Sequence, residues 1–275
     1  MVEPHIDEKE LGEKIISLFE YRLFPQLLDQ SEKDSEIKTA FQENLIDLQA
    51  SIYFLDAHLE AHWTTDKKVL DWHWQNIVRH LSAFGVSPAM SPMYLNHIRK
   101  YEKHELELRA GKSPVRLDME YFYFYKSCDV KLLRRLIYEK YPLLSATWGK
   151  LSDWRYYDLV TEVNDDVEDL YEDLQYINGN RFLISLLYQG KETTKKQFAD
   201  FLNVIKAKAT QKTKDTKSKK QQRVTELTLQ RVDETLKLLD DRVDNITDSD
   251  LKSSRLMNVQ SEFSEQFSGE VKKGI

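Results

Sequence analysis

The chain has very few of the residues that break helices or cross-link loops. It contains one cysteine, Cys128, so no intramolecular disulfide can form, and it has eight glycines and six prolines among 275 residues. So few glycines and prolines leave little material for the many tight turns of a β-sandwich or barrel. A hydrophobic fraction of 41% also disfavours a disordered chain. The composition is that of a helical globular protein.

Further absences limit location and partners. No run approaches the roughly 20 apolar residues that span a bilayer, so any membrane contact would be peripheral. The N-terminal residues lack the basic and then apolar pattern of a secretory signal, which together with the single cysteine predicts a cytoplasmic protein. The net charge at pH 7 is −6, which argues against a general affinity for nucleic acid.

Apolar residues recur at spacings of three and four almost throughout the chain, and this pattern predicts an all-α fold. Asp118 is expected to cap the N-terminus of a long aromatic helix. The expected helices cover about residues 8–28, 36–62, 69–84, 93–109, 119–141, 143–151, 153–177, 183–188, 194–208, 224–243 and 248–267.

The pattern divides the chain into three regions. Residues 1–205 are expected to form one helical domain, and residues 224–275 to form more polar helices that cover the core or extend from it. Residues 206–223 between them are rich in lysine and almost free of apolar side chains, which predicts an exposed linker or a frayed helix end. The lysines could also touch RNA or an anionic surface, but the segment has no interleaved aromatics or nucleic-acid motif, so no nucleic acid is expected.

One segment lacks basic residues altogether. Between Arg155 and Arg181 there are eight carboxylates and no lysine or arginine, although like charges three or four residues apart destabilise a helix by about 0.2–0.5 kcal/mol each. An acidic edge is expected beside a buried stripe. The stripe is Leu159, Val163, Val167, Leu170, Leu174 and Ile177, and the edge is Glu162, Asp166, Asp169 and Asp173. Carboxylates at the border of a cavity suit Mg²⁺, whereas the alternative is a solvated acidic face on a surface helix.

Within this segment, "NDDVED" places Asp165, Asp166 and Asp169 in a DDxxD arrangement. It resembles the second aspartate-rich motif of the class I isoprenoid synthases, the all-helical superfamily of polyprenyl diphosphate synthases, squalene and phytoene synthases, and terpene cyclases. Asp169 and Asp173 add a DxxxD, and the "NGNRF" that follows is similar to the squalene and phytoene branch, where an arginine-containing segment follows the acids.

Two upstream features extend the resemblance over about residues 52–189. Lys126 and Ser127 look like the Lys-Thr pair of the elongating prenyltransferases, whose lysine contacts diphosphate, and they precede Asp165 by a family-like interval. Asp56 and Glu60 stand where the first acidic motif is expected, as DxxxE in place of DDxxD or DxxxD. Compared with the family motif, a glutamate stands in place of the last aspartate, so a carboxylate is kept there, but the second aspartate of the leading DD pair is absent.

The resemblance implies a single large bundle of the terpenoid synthase type that ionises an isoprenyl diphosphate and then condenses or cyclises it. Asp165 and Asp169 are the implied catalytic residues. The implied Mg²⁺ ligands are Asp56, Glu60, Asp165, Asp166, Asp169 and Asp173, and the implied diphosphate contacts are Lys126, Arg181 and Arg135. For each arginine the alternative is an ion pair with the acidic surface.

The resemblance also implies that some aromatic side chains line a hydrocarbon pocket, while most belong to the core. The candidates are Tyr121, Phe122, Tyr123, Phe124, Tyr125, Trp148, Trp154, Tyr156 and Tyr157. The degenerate first motif and the polar C-terminal helices favour the rival hypothesis, a non-catalytic interaction protein on a similar fold. Whether the chain forms a homodimer stays open.

Overall fold

The computed structural model describes residues 8–215 and 219–260, and within these residues it is helical without any strand, which confirms the all-α prediction. The α-helices are α1 (Glu8–Tyr21), α2 (Phe24–Ser31), α3 (Ser35–Ala61), α4 (Lys67–Ser82), α5 (Ser91–Arg109), α6 (Met119–Lys126), α7 (Cys128–Lys140), α8 (Leu144–Thr147), α9 (Arg155–Glu168), α10 (Leu170–Asp173), α11 (Arg181–Gln189), α12 (Lys191–Asp215), α13 (Lys219–Asn245) and α14 (Asp248–Lys252). Two 3₁₀ turns lie at Pro114–Arg116 and Leu151–Trp154, and residues 255–260 are also helical. In this part of the chain every helix is too short or too polar to cross a bilayer.

Three of the predicted helices before α11 are each divided in two. The helix expected over residues 8–28 stops after Tyr21, because Leu23 adopts a left-handed backbone (φ 64°) just before α2, which has Pro25 in its first turn. The aromatic helix is capped as predicted, since the Asp118 carboxylate accepts from the backbone N–H of Tyr121 at 2.9 Å, but it breaks at Ser127 into α6 and α7. The acidic helix breaks at Asp169 into α9 and α10.

The buried stripe of the acidic helix is confirmed, because all six of its apolar residues are at most 4% exposed. This makes α9 a central helix, which packs against α6, α11 and α13. From α13, Val232, Leu239 and Val243 join the α9 side chains in one buried apolar cluster. Burial of each such side chain stabilises the fold by about 1.5–3 kcal/mol.

The C-terminal helices are therefore part of the core and do not merely cover it. The linker prediction is wrong for the described residues of 206–223, since α12 continues to Asp215 and α13 begins at Lys219, while residues 216–218 lie outside the described part. Acids on neighbouring elements neutralise the lysines of α12. The ion pairs are Lys206–Asp233, Lys208–Glu120 and Lys212–Asp153. The helix expected over 248–267 is interrupted after Lys252, and its residues beyond 260 fall outside the described chain.

Candidate functional site

A cavity of about 1070 Å³ lies between α1, α3, α5 and the α9–α10 segment. The α3 wall contributes Asp56 and Glu60, and the α9–α10 wall contributes Asp165, Asp169 and Asp173. The two acidic motifs that the sequence places more than 100 residues apart therefore line one cavity. Had α3 turned these side chains away from α9, the isoprenoid synthase hypothesis would have failed.

Helical spacing explains how each wall presents its acids. Asp56 and Glu60 are four residues apart, so they stack on one face of α3, beside the buried Leu55 and Leu59. On the opposite wall, Glu162, Asp165 and Asp169 follow at spacings of three and four, and the break at Asp169 separates them from Asp173 on α10. The Asp173 carboxylate is held in place by the side-chain amides of Asn178 and Asn180.

The cavity carries a large excess of negative charge. Its lining includes four basic side chains and eleven acidic ones. The acids are Asp56, Glu60, Glu102, Glu105, Asp129, Glu162, Asp165, Glu168, Asp169, Glu172 and Asp173, and the bases are Lys14, Arg22, Lys126 and Arg255. Three of the four bases already pair with an acid, through Arg22–Glu162 at 2.8 Å, Lys14–Glu172 at 3.3 Å and Lys126–Asp166. The chain does not itself balance this charge, so the cavity is suited to a cation.

Burial and mutual repulsion raise the pKa of the carboxyl groups in the cavity. Burial first, and then the charges of Asp173 and Glu105, raise the pKa of Glu60 to about 8. Burial first, and then the charges of Glu60 and Asp129, raise the pKa of Asp56 well above its usual range. Burial with the neighbouring acids raises the pKa of Asp169 to about 7. Burial raises the pKa of Asp173 to about 6, although hydrogen bonds from asparagines oppose the shift. Without a cation, Glu60 therefore retains a proton near neutral pH.

Lys126 projects into the cavity from the last turn of α6, and Asp166 holds it there. The Lys126 ammonium pairs with one carboxylate oxygen of Asp166, and the other oxygen accepts from the Tyr123 hydroxyl at 2.8 Å and from the backbone N–H of Arg181 at 3.0 Å. Asp166 is fully buried, and it is not part of the cavity lining. The structure therefore does not bring Asp166 to the other predicted metal ligands, because its oxygens are already used to position the lysine.

The two arginines predicted to bind diphosphate lie elsewhere. The Arg181 guanidinium donates to the carbonyl of Pro114 at 3.1 Å and packs over the Phe122 ring, so it fastens α11 to the neighbouring 3₁₀ turn. Arg135 pairs with Glu139 at 2.8 Å on the surface of α7. Neither arginine lines the cavity, so the structure does not bring either of them to the predicted metal ligands. For Arg135 the alternative of an ion pair is confirmed.

The apolar part of the cavity also differs from the expectation. None of the nine aromatic candidates lines the cavity, because they pack in the core or on other surfaces. Apolar surface comes instead from α1, α3 and α5. The residues concerned are Leu11, Ile15, Leu18, Ile52, Leu55, Leu59, Ile98 and Tyr101.

Two buried charged residues of the cavity wall were not among the sequence candidates. Arg22, between α1 and α2, is 1% exposed and pairs with Glu162, and its backbone carbonyl faces Arg134, which itself pairs with Asp158 at 2.6 Å. The cations missing from α9 are thus supplied in part by other helices. The second residue is Glu105, on α5, which lies on the same helical face as buried apolar residues.

Among the residues that the structure describes, no three His, Cys, Asp or Glu side chains are already close enough together to enclose a metal ion. The carboxylates instead line separate walls, an arrangement that fits a hard cation whose remaining ligands come from a bound anion or water. Comparison with family models, curated proteins and solved structures finds no match for this chain.

Proposed function

We propose that the protein is a Mg²⁺-dependent enzyme that ionises an allylic isoprenyl diphosphate and then condenses or cyclises the hydrocarbon, on a bundle of the terpenoid synthase type. One observation carries the proposal: acids from α3 and from α9–α10 line a single large cavity that also receives Lys126. A cavity lined by both carboxylates and apolar side chains suits a substrate with a charged head and a hydrocarbon tail.

The residues present fit magnesium. Asp56 and Glu60 on one wall, and Asp165, Asp169 and Asp173 on the other, supply carboxylate oxygens, and Mg²⁺ is commonly bound by one or two carboxylates together with phosphate oxygens. When bound, the ion would stabilise the negative charge that develops on the departing diphosphate.

The chain itself supplies two further elements of this chemistry. Lys126 is a nearly buried cation whose position is set by Asp166, so it can donate charge-assisted hydrogen bonds to a phosphate oxygen. The apolar residues of α1, α3 and α5 would bury the hydrocarbon at about 0.8 kcal/mol per methylene and exclude water from a reactive cation.

The test is release of diphosphate from geranyl, farnesyl and geranylgeranyl diphosphates by the purified protein with Mg²⁺. We expect Asp165→Ala and Asp169→Ala each to lower the rate by about 100-fold or more, and a chelator to abolish it. Asp200→Ala is the matched control, since this exposed aspartate of α12 pairs with Lys196 on its own helix and does not line the cavity. Wild-type rates in both cavity variants would overturn the assignment of these residues.

A non-catalytic interaction protein remains the second candidate, and the burial of Asp166 favours it. Asp166, the second aspartate of the DDxxD motif, already accepts hydrogen bonds from Lys126, Tyr123 and a backbone N–H. The motif therefore offers fewer free metal ligands than its three aspartates would suggest. This candidate predicts no diphosphate release from any of the three substrates and no effect of Mg²⁺ on thermal stability.

A further inference from the structure

Glu105 is a buried carboxylate in the cavity wall, outside both acidic motifs. It is 5% exposed, and it lines the cavity together with Asp56 and Glu60. It comes from a third helix, α5, whose Leu95, Ile98 and Leu108 are also buried. A charged residue on such a face needs a specific reason, because burial of an unpaired carboxylate costs several kcal/mol.

The residues around Glu105 do not fully satisfy it. Its Oε2 atom has no hydrogen-bond partner, and the nearest cation, Arg109, lies at 3.8 Å, which is beyond hydrogen-bond distance. The guanidinium of Arg109 is directed to backbone carbonyls instead. It donates to the carbonyls of Leu59, His62, Glu105 and Ile177. Arg109 therefore ties α5 to the end of α3, and the Glu105 carboxylate keeps acceptor capacity toward the cavity.

The loop after α10 makes room for this carboxylate. A Cβ atom on Gly179 would lie 2.0 Å from Oε1 of Glu105, so any other residue at position 179 would push the carboxylate aside. On either side of this glycine, Asn178 and Asn180 hold Asp173. The loop thus seats Glu105 beside an acid of the opposite wall, while its charge also acts on Asp56 and Glu60.

We propose that Glu105 is a ligand of the divalent cation on the α3 side of the cavity, where it supplies the carboxylate that the DxxxE motif lacks. This inference rests on the proposed function. It assigns the cation side chains from α5 in addition to those from α3 and the α9–α10 segment. It also gives Gly179 a role, because only a residue without a side chain leaves the carboxylate where it is.

The test is a titration of the full chain with Mn²⁺ in the presence of inorganic pyrophosphate, with free Mn²⁺ followed by electron paramagnetic resonance. Carboxylate sites that suit Mg²⁺ also take Mn²⁺. We expect Glu105→Gln and Asp165→Asn each to weaken Mn²⁺ binding by about tenfold or more, since even residues behind a ligand have effects of that size. Glu107→Gln is the control on the same helix, because Glu107 pairs with Lys112 outside the cavity.

The outcomes separate the two proposals. Wild-type affinity in Glu105→Gln, together with weakened binding in Asp165→Asn, would overturn the role of Glu105 and leave the proposed function standing. No Mn²⁺ binding by the wild type would overturn both. If Glu105→Gln does not fold, Gly179→Ala decides, because it keeps the carboxylate and displaces it: weakened binding supports the role, and wild-type affinity refutes it.

Discussion

Magnesium should stabilise the protein more at alkaline than at acidic pH, because the carboxyl groups of the cavity hold protons that the metal must replace. Between pH 4.5 and about 8 the folded state keeps a proton on Glu60 and the unfolded state does not, so stability falls as pH rises and the loss is complete above about 8. A displacement from 4.5 to about 8 corresponds to at most about 5 kcal/mol. Solvent screening reduces this electrostatic free energy, so we expect the free energy of unfolding to fall by about 2–3 kcal/mol, which lowers Tm by roughly 5–10 °C.

The assay is thermal unfolding at about pH 5.5 and about pH 8.5, at matched ionic strength, with either a chelator or excess Mg²⁺. Without metal, Tm should be lower at the higher pH. Mg²⁺ at about 100 times its Kd should recover about 2.7 kcal/mol there and much less at the lower pH, where protons compete for the ligands. Glu60→Gln should flatten the pH dependence. A metal-free Tm that rises with pH, or an equal effect of Mg²⁺ at both pH values, would refute the reasoning.

Three further substitutions test other parts of the structure. Arg22→Met should lower the free energy of unfolding by about 3–5 kcal/mol in urea titrations, because it leaves Glu162 buried without its cation. Lys126→Met should lower kcat/KM for diphosphate release by about 100-fold, since it removes the cavity's positioned cation. Leu239→Ala should lower the free energy of unfolding by about 2–5 kcal/mol in the same urea titrations, because Leu239 of α13 is 1% exposed and packs in the apolar cluster with α9.

Each of the three substitutions has a control variant or a result that would contradict it. Arg135→Met removes an exposed ion pair and should change the unfolding free energy by less than about 1 kcal/mol; a loss as large as that of Arg22→Met would contradict the argument from burial. For Lys126→Met, wild-type kcat/KM would exclude the lysine from the site. A Leu239→Ala protein as stable as wild type would show that α13 is peripheral after all.

The sequence could predict the helices and the buried stripe of the acidic segment because both follow from local spacing, whereas Asp56 and Glu60 were singled out through the resemblance to the first acidic motif. The stripe from Leu159 to Ile177 has helical periodicity, and Asp56, Glu60, Asp165 and Asp169 stand beside such stripes, so their common orientation is set by the 3.6-residue repeat. The N-terminal cap that Asp118 provides for the aromatic helix also follows from local sequence. The breaks at Leu23 and Ser127 were missed, since periodicity continues on both sides of them.

Side-chain partners could not be read from the spacing, because they depend on which helices meet. Arg181 follows the acidic segment directly in sequence, yet its guanidinium is directed to Pro114, and Asp166 belongs to the motif but holds Lys126. Glu105 did leave a trace, as a lone acid on the apolar face of α5. The lysines of α12 were assigned to a linker rather than to a packed helix, because their acidic partners are close in space but far away in sequence.

Asn164 joins the two sides of α9. Its side-chain amide donates to the Thr235 hydroxyl on α13 at 3.1 Å, and its oxygen accepts from Tyr21, which lines the cavity from α1. The helix α13 is thus linked by two hydrogen bonds to a cavity that none of its described side chains lines. Substitutions in α13 could therefore alter the shape of the cavity, and with it the ligand selectivity, without any change in the lining residues. Chains with the same cavity acids could then differ in the ligands they bind.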